Sequence, residues 1–224
     1  MKIMNNRNRN RKQKKKLKSS YYVFVEGETE EIYLNEFKDY ELNNKIKMYI
    51  DPQLKSCDAL CSNKKSVDDV IKILRDAEQK EYDKVFYVFD KDVLLAQDNN
   101  TPKGKQKPSE KLKVMKEKLK KNKNIIILEN SPCFELWLLL HFIFTTRSFN
   151  NCDDAVDELK KHDNSYKKRN AIYQEYRDKL GFAIENAEKL DREKTESKAQ
   201  IYKIIKELSR LPTTFSFNSI FFLF

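Results

Sequence analysis

Two short apolar runs, each ending in a cluster of acids, constrain this chain most. Tyr21-Tyr22-Val23-Phe24-Val25 leads into Glu26-Gly27-Glu28-Thr29-Glu30, and Val85-Phe86-Tyr87-Val88-Phe89 leads into Asp90-Lys91-Asp92. Runs of this length, aromatic and β-branched without polar alternation, read as strands buried on both faces, the pattern of a parallel sheet. The acids then fall at the carboxyl edge, where open α/β sheets gather their chemistry. Carboxylates crowded there repel one another unless a cation lies between them, and an all-oxygen donor set suits Mg2+ or Mn2+. The residues point to a divalent-metal phosphoryl-transfer site.

The segments around these runs carry helical spacing. Thr29 offers an N-cap, and Ile32, Tyr33, Phe37 and Tyr40 recur on one helical face to residue 42. Residues 45–50 read as a second strand. Val67, Val70, Ile71 and Leu74 mark a helix closing near residue 80, and residues 84–89 form a third strand. Residues 96–108, with Asn99-Asn100-Thr101-Pro102 and Pro108, read as a polar loop. Ser109 caps a lysine-rich helix with Leu112, Met115 and Leu119 along one side, and residues 124–128 are a fourth strand. Pro132 suits the first turn of a helix over residues 134–144, apolar nearly all round and therefore buried. Beyond Asp153 the pattern is helical with no clear strand, and Tyr166-Lys167-Lys168-Arg169 bridges two of the helices. The alternation predicts an α/β fold with a mostly parallel sheet flanked by helices and a helical C-terminal part. In domain terms this is a basic arm over residues 1–20, an α/β domain over 21–150 and a helical extension over 151–224 packing on the core.

Composition excludes several classes. Glycine numbers three in 224 residues and charged residues make up 36%, which disfavours Gly-loop nucleotide sites and favours helix. No Walker-type loop or dinucleotide fingerprint is present, so ATP or NAD use by this chain is not expected. The net charge of +10 is unevenly placed, with nine Lys or Arg and no acid in residues 1–18. Arg9, Arg11, Lys12, Lys14, Lys15 and Lys16, with Lys167 and Lys168 farther on, are candidate nucleic-acid contacts of salt-sensitive affinity. The alternative for the arm is a solubilising, disordered tail. The lysines of residues 103–123 read as half a solvated helix face.

Cys57, Cys61, Cys133 and Cys152 show neither CxxC spacing nor a nearby histidine, so reduced thiols in a cytoplasmic protein are the simplest account. His141 and His162 suggest neither a zinc site nor a catalytic dyad. No signal peptide is visible and the apolar residues 136–144 are too few to span a bilayer, so no membrane association is expected. Residues 215–224 hold five phenylalanines and no charge; they either pack within the chain or dock onto a partner.

Three motifs together resemble a known family. Val25-Glu26-Gly27-Glu28-Thr29-Glu30 with Tyr33, Phe89-Asp90-Lys91-Asp92, and the stretch Asn130-Ser131-Pro132-Cys133-Phe134-Glu135-Leu136-Trp137 running on to Phe142 are similar to the RloB-like proteins, which include the AbiLii type of phage abortive-infection protein. The resemblance covers residues 1–210, and its Pro-Cys-Phe-Glu-Leu-Trp helix is the most specific part. It implies a divergent Toprim domain, the catalytic module of topoisomerases, bacterial primases and OLD-family nucleases. Glu26 matches the first-strand glutamate that serves as metal ligand or general acid/base, and Asp90 and Asp92 match the Asp-x-Asp pair that binds Mg2+. Glu30 resembles the second acid of a Glu-x-x-x-Glu arrangement. Ser131 and Glu135 resemble the later Ser-and-Glu element of OLD-type nucleases, at a spacing one residue longer than Ser-x-x-Glu. The expected catalytic residues are Glu26, Asp90, Asp92 and Glu135, and the expected metal ligands Glu26, Glu30, Asp90 and Asp92. The resemblance also implies a companion ABC/AAA-type ATPase.

The residues read alone agree. Asp90 and Asp92 lie two apart and on a continuing strand would point the same way. Glu30 lies one helical turn from Glu26, and Glu135 opens a helix whose positive end suits phosphate or carboxylate. Lys167 or Lys168 would neutralise transition-state charge. Blander readings stand beside these: Glu28, Glu31 and Glu36 as ordinary first-helix acids, Asp90 and Asp92 as turn residues, Glu135 as a structural cap, and Trp137 with its leucines as core. The leading expectation is a Mg2+-dependent Toprim nuclease acting as an anti-phage effector. The alternative is a catalytically weak nucleic-acid-binding or sensor subunit. A topoisomerase- or primase-like enzyme ranks below both, for want of a strand-passage tyrosine domain or a zinc module. The choice between DNA and RNA, and a homo-oligomeric state, are left open.

Overall fold

Successive side chains of β3 (Lys84–Asp90) enter two different cores: Phe86 and Val88 one, Val85, Tyr87 and Phe89 the other. A strand covered on both sides needs no polar face, which is why its sequence shows a continuous apolar run. The computed structural model describes residues 19–42, 47–52, 67–80 and 82–210. The basic arm, Cys57, Cys61 and the phenylalanine-rich residues 215–224 lie outside the described residues.

Five strands form one sheet in the order β2-β1-β3-β4-β5. β1 (Ser20–Val25) pairs in parallel with β2 (Lys47–Pro52) on one side and with β3 on the other, and β3 pairs in parallel with β4 (Ile125–Ser131). β5 (Lys198–Ala199) closes the edge antiparallel to β4. From β1 the chain passes outward to β2 and then crosses back to β3. The strand order therefore reverses between β1 and β3, and their carboxyl ends flank the crevice such a reversal leaves.

Helices cover both faces. α1 (Glu28–Phe37), α5 (Glu135–Leu139), α6 (Cys152–Lys160), α7 (Tyr173–Tyr176), α8 (Leu180–Arg192) and α9 (Tyr202–Ser209) share the larger core, while α2 (Val67–Gln79) and α4 (Pro108–Leu119) share the smaller one. The larger core centres on aromatic edge-to-face packing. Tyr33 meets Phe134, Trp137 and Tyr173 at ring-centroid distances of 5.6, 6.3 and 5.2 Å. Such pairs add to the stabilisation that burial alone gives. The C-terminal helices thus pack into the core of the sheet.

Four expectations change. Gly27, not Thr29, is the N-cap of α1: the Glu31 N–H donates to the Gly27 carbonyl at 3.2 Å, placing Thr29 inside the first turn. Residues 91–99, of which 96–99 fall in the loop expected over 96–108, form α3 (Lys91–Asn99), whose lack of any fully buried side chain leaves no apolar seam to read. Asp90 and Asp92 accordingly do not share a continuing strand, because the strand ends at Asp90 and Asp92 stands in the first turn of α3. The buried helix over 134–144 is regular only as α5, and Pro132 precedes it after a cis Ser131-Pro132 peptide instead of opening it. The smaller shifts are a β4 running to Ser131, where β5 gives it a partner, and Lys107 in place of Ser109 at the start of α4.

Candidate functional site

Glu26 follows β1 directly, at the carboxyl edge. Its carboxylate is held from β3: Tyr87 donates its hydroxyl to Oε1 at 2.7 Å and the Asp90 N–H donates to Oε2 at 3.3 Å. Burial, with the Glu26 charge beside it, pushes the Tyr87 hydroxyl well above its ordinary pKa, so it stays a donor. Glu30, one turn into α1, is 3% exposed, and its carboxylate folds back over Gly27 so closely that a Cβ at position 27 would land on it. The Gly27 backbone itself is extended, so any larger residue there would have to displace the Glu30 carboxylate.

Asp90 ends β3 directly opposite Asn130 of β4, and the Asn130 amide donates to Asp90 Oδ1 at 3.3 Å. Glu135 comes from the start of α5 and is 4% exposed. Tyr166 donates its hydroxyl to Glu135 Oε1 at 3.1 Å, and the Lys168 ammonium lies 3.6 Å from the same oxygen. Both arrive from the segment between α6 and α7, which the Arg169 N–H pins to α1 by donating to Thr29 Oγ1 at 3.3 Å.

These acids act on one another. Burial first, then Glu135 and Glu26, raise the Glu30 carboxyl to about 8, against the pull of the Lys168 charge. Burial, then Glu30, Glu26, Glu135 and Asp92, push Asp90 well above the usual carboxylate range. Two strand ends, β1 and β3, and three helix starts, α1, α3 and α5, therefore feed one crowded acidic patch.

A family model described as RloB-like protein matches residues 21–208. The chain belongs to the RloB-like family. No curated protein and no solved structure matches it. Membership fits a defence-related role.

Of the RloB-like chain's expected site residues, Glu26, Glu30, Asp90 and Glu135 come together. Asp92 lies within reach of Asp90, yet its Oδ1 takes up the Val93 N–H at 2.6 Å, so the carboxylate turns toward its own helix. Ser131 is 5% exposed and sits in β4 opposite Lys198. Lys168 reaches the acids, while Lys167 is exposed beside it. Arg9, Arg11, Lys12, Lys14, Lys15 and Lys16 lie outside the described residues. α5 is five residues long, too short for the expected helix-end field at Glu135 to carry weight.

Sequence reasoning missed Tyr87, Asn130 and Tyr166, since nothing local marks a strand tyrosine, a strand-end asparagine or a loop tyrosine as facing acids far away in the chain. It also missed a sulfur pair. Cys133 and Cys152 are joined by a disulfide with Cα atoms 5.5 Å apart, so the expectation of reduced thiols fails for these two. Glu135 Oε2 lies 3.0 Å and Lys168 Nζ 3.5 Å from Cys152 Sγ. A disulfide sulfur carries no proton, so the first is a contact that becomes a hydrogen bond only on reduction.

The donor set suits a hard divalent cation in chemistry: carboxylates, one unpaired buried amide oxygen on Asn130, and no histidine. Among the described residues, the trio of metal-ligating atoms all within 4.8 Å of one another is Cys133, Glu135 and Cys152, whose sulfurs are already bonded to each other. The carboxylates themselves are spread more widely, so a cation would draw them together. Among the described residues no helix is long and apolar enough to cross a membrane.

Proposed function

We propose that this RloB-like chain hydrolyses phosphodiester bonds with Mg2+ or Mn2+ at a Toprim-type acid site on the carboxyl edge of its sheet. The observation that carries this reading is the gathering of Glu26, Glu30, Asp90 and Glu135 at one sheet edge, with Glu30 and Asp90 raised by burial and by neighbouring carboxylates. Crowding of that kind costs folding stability, and perturbed groups gathered at the switch point of an α/β sheet are the usual mark of a working site.

A divalent cation bound there would activate water and stabilise the leaving oxygen. The chain's own residues divide the remaining tasks. Glu26, fixed by Tyr87 and the Asp90 N–H, is an oriented oxygen donor. Glu30, with a carboxyl near 8, can hold or release a proton close to neutral pH, as a general acid or base must. Lys168, beside Glu135, brings positive charge to the rim, where a phosphate would need it. Lys167, Lys168 and the basic arm supply salt-sensitive attraction for nucleic acid. A companion ABC/AAA-type ATPase provides the nucleotide-driven control in anti-phage defence that a chain without a Walker loop cannot.

One observation favours a second reading, a catalytically weak nucleic-acid-binding or sensor subunit. Asp92 gives one carboxylate oxygen to the Val93 N–H in the first turn of α3, off the strand that carries Asp90. Cleavage of supercoiled plasmid, single-stranded DNA and total tRNA in Mg2+, Mn2+ or EDTA separates the two. The nuclease reading expects metal-dependent cutting that disappears with Asp90→Ala/Asp92→Ala. Cutting unchanged by that double substitution overturns the assigned site, and nucleic-acid binding without cutting, with the ATPase present, supports the second reading.

A further inference from the structure

Asn130 is the most confined polar side chain at the acid edge. It is 0% exposed, lies one residue before the end of β4 opposite Asp90 in the parallel register, and gives its amide N–H to Asp90 Oδ1. With Asp90 ionised, as a cation ligand must be, the amide nitrogen faces it, because the reverse would set two acceptors against each other. Its carbonyl oxygen is left without a hydrogen-bond partner. Among the described residues one other buried side-chain atom shares that state, Trp137 Nε1, which sits in the aromatic core against Tyr33.

A buried carbonyl facing no donor loses its hydration without replacement, and native proteins keep such groups rarely and usually for a reason. Here the neighbourhood supplies one. Once ionised, as they are when they hold a cation, the surrounding acids only accept and cannot satisfy the oxygen, whereas the cation among them can. Hard divalent cations take asparagine carbonyls beside carboxylates, and an uncharged oxygen adds a ligand without adding repulsion.

We infer that the Asn130 carbonyl oxygen is a ligand of the divalent cation at the Glu26–Asp90 edge, while the amide half of the same side chain holds Asp90 in place. The inference rests on the proposed cation site and deepens it. One residue thereby links the first acid of the Asp90-Lys91-Asp92 motif to the strand that leads into Glu135.

The test is calorimetric titration of the full chain with MnCl2, with thermal melting in EDTA and in Mn2+, for the native protein, Asn130→Leu, Asn130→Asp and Asp90→Ala. Native protein should bind Mn2+ and Asp90→Ala should not. Asn130→Leu should bind roughly tenfold more weakly or worse, the usual effect of losing a supporting group at a metal site. Asn130→Asp should melt lower than native in EDTA and show a larger rise on adding Mn2+, because its added charge repels Asp90 until a cation intervenes. A folded Asn130→Leu with native Mn2+ affinity overturns the assignment and leaves the cation site standing. If that variant does not fold, Asn130→Asp decides, and a Mn2+-induced rise no larger than native overturns the assignment. Absence of Mn2+ binding by native protein overturns both the assignment and the site it rests on.

Discussion

The acid edge and the aromatic core of this protein both bury titratable groups, and they treat them in opposite ways. In the core, His141 is 1% exposed, with Nδ1 3.0 Å from the Trp137 carbonyl and Nε2 3.1 Å from the Tyr33 hydroxyl. A carbonyl only accepts, so Nδ1 carries the proton and Nε2 receives the one that Tyr33 donates. The ring is neutral and both nitrogens are used, while burial lowers its pKa to about 4. At the edge, Glu30 and Asp90 are pushed up by burial and by neighbouring carboxylates, and the Lys168 charge eases Glu30 only in part. The core shows how a fold absorbs a polar group when stability is the criterion. The edge retains a tension that a fold selected for stability alone would remove.

The largest effect that would sharpen this contrast is in the core. Trp137→Ala should cost about 3–5 kcal/mol in urea unfolding, since an indole at 0% exposure leaves a cavity its neighbours cannot fill. Asp90→Ala, by comparison, should be neutral or stabilising in EDTA, and a loss as large as that of Trp137→Ala would break the contrast.

A smaller effect, with opposite signs in the two regions, is expected from pH. The raised Glu30 carboxyl contributes stability that is complete below about 4.5 and is lost as pH rises through about 8. The lowered His141 contributes stability that is complete above about 6.5 and is lost as pH falls through about 4. Melting curves without divalent cation should therefore show Glu30→Gln gaining on the native protein toward alkaline pH. His141→Gln, less stable near neutrality, should close the gap toward acid pH. Parallel pH profiles for native and variant would deny the tension at Glu30 or the neutrality of His141.

The smallest effect concerns Tyr87. Tyr87→Phe keeps the packed ring and removes one hydrogen bond to Glu26, so unfolding should change by about 1 kcal/mol. Metal-dependent cutting should fall more than stability does. Full activity would show that Glu26 needs no holding.

Much of this is legible in the sequence. The runs ending in Glu26 and Asp90 announced themselves because a strand covered on both faces must be apolar at every position. The helical spacing of Tyr33 and Phe37 likewise reports a face turned to the core. α3 gives no apolar seam because none of its side chains is fully buried, and β5 because two residues carry no period.

By itself the sequence determined the parallel α/β layout and the placement of Glu26 and Asp90 at one edge, because burial and periodicity are written residue by residue along the chain. Only the tertiary structure decided that Asn130 stands opposite Asp90, that Tyr87 holds Glu26, that Cys133 meets Cys152, and that Lys168, not Lys167, reaches Glu135. These follow from strand register and from a loop returning across the sheet. Both are fixed by the packing of distant segments, for which no local pattern of side chains encodes an answer.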